Sequence, residues 1–257
     1  MMNIVEHNSQ AWDKQADNGN VWTMPVSSEI ISAARKGSWD IVLTPTKPVP
    51  KSWFPQNLSG LKVLCLASGG GQQGPVLAAA GADVIVLDIS EKQLQKDNLV
   101  AVRDGLDLKI VKGTMTDLHI FEDDTFDLIV HPVSNMYVEE IRPIWLECYR
   151  VLKKNGRLIS GFANPLVYLF DPEAEEEGKL EVRYSIPFSD LKSLPEHLLK
   201  QYLAEGDPVI FGHSLEDQLA GQTDAGFAIR GMYEDNYGGR RLLDEYINTF
   251  IATLAIK

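Results

Sequence analysis

LKVLCLASGGGQQGPVLAAAGADVIVLD, residues 61–88, is the stretch whose reading decides the architecture. Residues 61–66 are a short unbroken apolar run, the pattern of a strand buried on both faces. A glycine cluster follows, then PVLAAAG (75–81), a helix-forming run that Gly81 ends as a C-cap. ADVIVLD (82–88) is a second buried strand closing on a carboxylate. Glycines permit a tight turn and close approach of a ligand to the backbone, and a helix start offers free N–H groups and positive potential. Asp88 lies 17 residues after Gly71, at the tip of the second strand. A carboxylate there can accept two hydrogen bonds from the vicinal hydroxyls of a ribose, so the unit reads as a site for an adenosine-type cofactor.

Downstream, Ser90 starts a helix to about Arg103, with Gln93 completing a capping box. LKIVKG (108–113) and TFDLIVHP (125–132) read as strands three and four, and GRLISGF (156–162) as strand five. Between the last two lies an amphipathic helix, 138–153, with Ile141, Ile144, Trp145, Cys148, Tyr149 and Leu152 on one face. Ser214 caps a further helix that ends at Gly226, and FAIRGMY (227–233) and INTFIATLAI (247–256) read as an antiparallel edge hairpin. Strands alternating with helices mean a doubly wound α/β sheet, largely parallel. Residues 164–212 break the rhythm with an acidic stretch, DPEAEEEGKLE (171–181), and one short helix near 196–204; they read as an insertion on the sheet's open rim.

Residues 1–57 read as a leader, with helical spacing over 8–18 and 26–37 and a proline-rich connector over 44–55. Trp12, Trp22, Trp39 and Trp53 all fall in it. Such large aromatic surfaces need cover, which suggests a flap packed on the main domain, residues 58–257; plain hydrophobic anchoring is the competing reading.

With 44% hydrophobic and 23% charged residues, the 257-residue chain has an ordinary globular composition and the length to bury a core without staples. A formal charge of -12 opposes binding to phosphate backbones, so no nucleic-acid partner is expected. Cys65 and Cys148 cannot build a disulfide framework and read as reduced core thiols. The N-terminal residues carry no signal-peptide pattern and no 18 apolar residues run together, so the expectation is a cytoplasmic chain with no membrane partner.

Gly69-x-Gly71-x-x-Gly74 matches the dinucleotide fingerprint literally, but that match alone is weak. VLCLASGGG resembles the first motif of class I S-adenosylmethionine-dependent methyltransferases. GTMTDLHIFEDDTFDLIVH (113–131) is similar to that family's third and fourth motifs, and YRVLKKNGRLISGF (149–162) to its helix–turn–strand motif. SLEDQLAGQTDAGFAIRGMYED (214–235) resembles its C-terminal unit. The resemblance implies a Rossmann-like seven-stranded sheet in the order 3-2-1-4-5-7-6, strand seven antiparallel, and S-adenosyl-L-methionine as cofactor. By position it implies that the methionyl end lies over Ala67, Ser68, Gly69 and Gly71. Asp88 would hold the ribose, Ile89 one face of the adenine, and Thr114 and Met115 its edge, with His131 below the methionyl part. The chain departs from the family at three positions: Ala67 stands where a glycine is usual, Cys65 where an acid is common, and Thr114 where an Asp binds the adenine amine.

Methyl transfer needs chiefly alignment of the nucleophile, which supplies about 7–11 kcal/mol, and a base near neutral pKa would assist. His131, ending strand four, is the candidate base; hydrogen bonding to cofactor or to a buried carbonyl is the alternative. Asn135 and Tyr137 are candidate substrate contacts, Asn135 equally a helix cap, and His213 a third candidate at the rim. HPVSN (131–135) lacks the Asn-Pro-Pro-aromatic pattern of enzymes that methylate base or glutamine amino groups. Glu234 and Asp235 read as a solvated turn, and the acidic run 173–177 as a solvated face or an attractor of cationic substrates. No spacing suggests a metal site. The expected function is therefore methyl transfer to a small-molecule acceptor. A nicotinamide-dependent oxidoreductase and a non-catalytic adenosylmethionine-binding protein are the other classes. YRVLK (149–153) spells a Tyr-x-x-x-Lys spacing, but on a helix whose apolar face is buried.

Overall fold

A computed structural model describes residues 2–257. Seven strands form the main sheet: β1 Lys62–Leu66, β2 Asp83–Asp88, β3 Leu108–Lys112, β4 Phe126–His131, β5 Leu152–Ala163, β6 Ala228–Asp235 and β7 Phe250–Ile256. Their order is β3-β2-β1-β4-β5-β7-β6, with β7 antiparallel to both neighbours and the other pairings parallel, as expected. The apolar run of β1 splits by alternation. Val63 and Cys65 join a core with the helices α2 (Ser28–Arg35) and α3 (Gln73–Ala79), whereas Leu64 and Leu66 join one with α5 (Arg142–Val151). Both faces being covered, the strand needs no polar alternation. Cys65 and Cys148 lie in opposite cores as free thiols, and burial pushes both up.

Two boundaries differ from the sequence reading. The helix between β4 and β5 starts at Arg142 rather than 138, because Asn135–Tyr137 form a separate 3₁₀ turn. Strand β5 starts at Leu152 rather than 156. Leu152 pairs with Phe126, the chain bulges through Asn155 at φ 64°, and pairing resumes at Arg157 with Leu128.

The leader contributes to the core. Leu43, Val49, Trp53 and Phe54 are buried against the face that carries Val63. Trp53 packs on Tyr233 at a centroid distance of 5.3 Å, and Trp39 meets Phe54 edge-on at 5.0 Å. Asp235 corrects the solvated-turn expectation. It is 1% exposed and accepts hydrogen bonds from the amides of Thr46 (2.8 Å) and Lys47 (2.9 Å) and from the Thr46 hydroxyl, which fastens the leader to the end of β6. The acidic run is likewise not all solvated: residues Pro172–Glu176 form a helix, and Glu175 pairs with Arg241 at 2.7 Å.

Burial would push the Asp235 carboxyl up, but the Thr46 hydroxyl and the Thr46 and Lys47 amides outweigh it and hold the group at about 2. A carboxyl depressed in the folded state stabilises above its ordinary value and loses that contribution as pH falls toward 2. Asp235→Ala should therefore lower the urea unfolding free energy at neutral pH by roughly 1–3 kcal/mol, and the difference from wild type should vanish as acid protonates the carboxyl.

Candidate functional site

The carboxyl ends of β1, β2 and β4 open into a cavity of about 380 Å³. Open parallel sheets bind ligands at this edge, where the chain leaves adjacent strands in opposite directions. Ala67 begins the turn after β1 with φ 47°, the left-handed conformation that explains why a glycine is usual there. Gly70 and Gly71 also have positive φ, and a Cβ on Gly71 would lie 2.9 Å from the Lys96 carbonyl oxygen. The third glycine serves packing: a Cβ on Gly74 would meet Val86 Cγ2 at 2.5 Å.

The N–H groups of this turn are not free, contrary to the expectation from sequence. Gly69 N donates to Asp88 Oδ2 at 2.9 Å, and Gly70 N and Gly71 N donate to Asp97 Oδ2 at 3.0 and 3.1 Å. Asp88 Oδ1 accepts from Ser90 N at 2.9 Å, so one carboxylate sets both the glycine turn and the start of α4 (Glu91–Asp104). Burial pushes Asp88 up, opposed by the Ser90, Gly69 and Ile89 amides. Asp97, fully buried on α4, is pushed well above the usual carboxylate range by burial, with the Gly71 and Gly70 amides pulling the other way.

Ser90 Oγ caps α4 by accepting from Gln93 N at 3.1 Å. Asp88 takes the Ser90 amide that a capping-box glutamine would have bound, so the Gln93 side chain turns elsewhere. It lines the cavity, with Oε1 buried and unpartnered. Ser68 Oγ donates to Gln73 Oε1 at 3.1 Å, and Gln73 Nε2 donates to the Val42 carbonyl at 2.9 Å, tying the turn to the leader.

The leader also covers the turn. Gln72 Nε2 donates to the carbonyls of Val21 and Met24, both at 3.1 Å, and Val26 N donates to the Gly71 carbonyl at 2.9 Å. Helix α1 (Ile4–Asp17) docks where β2 meets α4, with Ser9 Oγ donating to the Ile89 carbonyl at 2.8 Å. Ser90 Oγ donates to Asp13 Oδ1 at 2.6 Å. Trp12 and Trp22 line the cavity, whereas Trp39 and Trp53 pack in the core.

Of the residues singled out from sequence, Ala67, Ser68, Gly69, Asp88, Ile89, Met115 and Tyr137 line the cavity together. Gly71 faces the leader, and the Thr114 hydroxyl pairs with that of Thr116 at 2.9 Å, away from the cavity. His131 is fully buried: Nδ1 donates to the Leu66 carbonyl at 2.9 Å, the ring meets Trp145 edge-on, and Nε2 has no partner. Burial lowers its pKa to about 4, and it does not line the cavity, which corrects its role as candidate base. Asn135 and His213 are also buried and outside the cavity lining. Asn135 Nδ2 donates to Gln218 Oε1 at 2.9 Å, and the His213 ring bonds the Asn135 carbonyl through Nε2 at 3.2 Å. Gln93, Gln73, Asp97, Trp12 and Trp22 were not singled out as site residues. Asp97 stands on α4 nine residues after Asp88, and only the fold brings it back to the turn. No group of metal-ligating side chains occurs among the described residues.

Asp97→Ala removes the acceptor of Gly71 N and one of two acceptors of Gly70 N, which keeps the Gln93 carbonyl at 3.1 Å, and should cost about 1–3 kcal/mol in urea unfolding. Asp97→Asn, whose amide oxygen still accepts from both glycines, should recover most of that loss.

A family model described as a methyltransferase domain matches residues 64–160. An uncharacterized methyltransferase, YbaJ, of Bacillus subtilis strain 168 is 58% identical over 99% of this chain and 98% of its own length. A demethylmenaquinone methyltransferase of Clavibacter sepedonicus is 36% identical over 44% of this chain and 45% of its own length. Among solved structures, an S-adenosylmethionine-dependent methyltransferase from Mesorhizobium loti shares the fold, with a TM-score of 0.62 and 20% identity over 80% of this chain and 95% of that one. The chain belongs to the class I S-adenosylmethionine-dependent methyltransferases.

Proposed function

We propose that this methyltransferase acts on a small molecule held in the rim half of the cavity. The observation that carries the proposal is continuity: one cavity runs from Ala67, Asp88, Ile89 and Met115 to Tyr237 and Arg241. Its size and mixed lining suit a small-molecule site rather than a macromolecular groove.

The residues at the β1–β2 end fit the cofactor. Asp88 uses each oxygen once on a backbone amide and retains further lone pairs for a ribose diol. Ile89 and Met115 supply apolar walls for the adenine, and Ala67, Ser68 and Gly69 flank the methionyl end. The unpartnered Gln93 Oε1 offers an acceptor on the same wall. When bound, S-adenosylmethionine supplies a methyl group on a sulfonium; the acceptor's lone pair forms the new bond while the carbon–sulfur pair returns to sulfur.

The chain's own part is to orient the two partners and exclude water. Asn8, fully buried, does this from the leader: its Nδ2 donates to the Tyr137 and Val209 carbonyls at 3.0 and 3.1 Å, and its Oδ1 accepts from Val209 N at 2.8 Å. Leader, β4 loop and rim are thereby joined over the cavity. Tyr137, edge-packed by Trp12 at 5.3 Å, is the proposed contact between the cofactor half and the acceptor half.

A nicotinamide dinucleotide is disfavoured, because its pyrophosphate would need the turn amides that Asp88 and Asp97 already occupy. A purely sensory role leaves the rim half of the cavity without a purpose. Calorimetric titration with S-adenosylhomocysteine should give saturable binding that Asp88→Ala weakens at least about tenfold, with no binding of NAD. Binding of NAD in preference to the nucleoside sulfide would overturn the reading.

A further inference from the structure

The rim half of the cavity has its own chemistry. Its walls include Tyr168, Tyr184, Phe188, Tyr202, Tyr237 and Phe250. Tyr168 and Phe188 stack with 14° between their planes at 5.7 Å, Tyr184 meets Phe188 edge-on at 5.4 Å, and Tyr237 meets Phe250 edge-on at 4.9 Å. Stacked and edge-on rings build flat apolar walls suited to a planar guest. Within them, the hydroxyls of Tyr168 and Tyr184 are buried without any partner. Buried hydroxyls left unpaired are costly and call for a ligand that supplies the missing hydrogen bonds.

One carboxyl lines the same space. Asp190 is 8% exposed, and its Oδ2 accepts from Ile210 N at 2.7 Å, while Oδ1 has no hydrogen-bond partner. Among the described residues no lysine, arginine or histidine forms an ion pair with it. The cation that does line the cavity, Arg241, is held by Glu175 through two contacts, at 2.7 and 3.2 Å. A cationic amine would share the chamber with that guanidinium. A guest with oxygen acceptors instead satisfies the arginine and the tyrosine hydroxyls, and an acidic proton on it satisfies Asp190.

We infer that the rim chamber is the acceptor subsite for a planar hydroxylated aromatic compound, and that Asp190 Oδ1 accepts the proton of the hydroxyl that is methylated. This rests on the methyltransferase reading of the cavity. The hydroxyl oxygen forms the bond to the methyl carbon, the carbon–sulfur pair leaves with sulfur, and the O–H proton ends on Asp190. The group is suited to this at neutral pH. Burial raises its carboxyl to about 6, with Asp207 adding to the rise and the Ile210 amide opposing it; Tyr168 and Tyr202 are the other titratable neighbours. It is thus ionised at pH 7 yet basic enough to take a proton.

The test uses the full chain and begins with S-adenosylhomocysteine, whose binding reports the cofactor half alone. 4-Nitrocatechol, whose visible band changes with ionisation, is then titrated into the loaded protein. Expected are saturable binding with the band shifted toward the hydrogen-bonded neutral form, and a loss of about tenfold or more in affinity for Asp190→Asn together with loss of that shift. Asparagine still accepts from Ile210 N, so unchanged S-adenosylhomocysteine binding verifies that this variant is folded. Tyr184→Phe should weaken the probe less. With a hydroxylated aromatic that is turned over, kcat/KM should fall below pH about 6, as the base protonates, and Asp190→Asn should lose about a hundredfold together with that inflection. Binding of the nucleoside sulfide without the catechol, equal catechol binding and spectra in Asp190→Asn, or tighter binding of choline than of the catechol would each overturn the inference while leaving the methyltransferase reading intact. Failure of the sulfide itself to bind would remove both.

Discussion

Two buried carboxylates hold the glycine turn, and most of the site follows from that constraint. Asp88 takes the Gly69 and Ser90 amides, and Asp97 takes those of Gly70 and Gly71. A turn with three consecutive amides facing inward would otherwise leave costly unpaired donors, or bind anions. Filled by carboxylates, it presents little to a phosphate and suits a cofactor whose contacts are ribose hydroxyls and apolar surface. Cys65 leaves β1 without a carboxylate, and Asp97 brings one to the same turn from α4; its charge adds to the burial that raises the Cys65 thiol.

The leader has two roles because its two halves meet different parts of the sheet. The extended half, from Leu43 to Leu58, covers one face of the sheet and completes a core that would otherwise expose β5, β6 and β7. The helical half lies over the open end, where Ser9, Asp13 and Asn8 bind the start of α4, the β4 loop and the rim. One segment thus contributes both to the core and to the lining of the cavity. The rim supplies what the sheet edge cannot: aromatic walls and an isolated carboxyl. No helix among the described residues is long and apolar enough to cross a membrane.

The strands, the antiparallel edge hairpin, the glycine turn and Asp88 were legible in the chain from local patterns: apolar runs, turn residues and an acid at a strand's end. The order of the strands came instead from the resemblance of its motifs to the methyltransferase family. His131 shows where such reading stops. Its position at the end of β4 is right for a ligand contact, but Leu66 and Trp145, distant in sequence, seal the ring inside. Asp235 fails in the opposite sense. A charged pair after a strand reads as a solvated turn until the Thr46 and Lys47 amides, from the far end of the chain, fold over it.

By itself, then, the sequence determined the alternation of strands and helices, the glycine turn and the acid that ends β2, since hydrophobic period and glycine placement act over a few residues. Tertiary structure alone decided which polar groups face the cavity. That choice depends on contacts such as Asn8 with Val209 and Gln73 with Val42, whose free energy comes from satisfying buried hydrogen bonds between segments that no local pattern links.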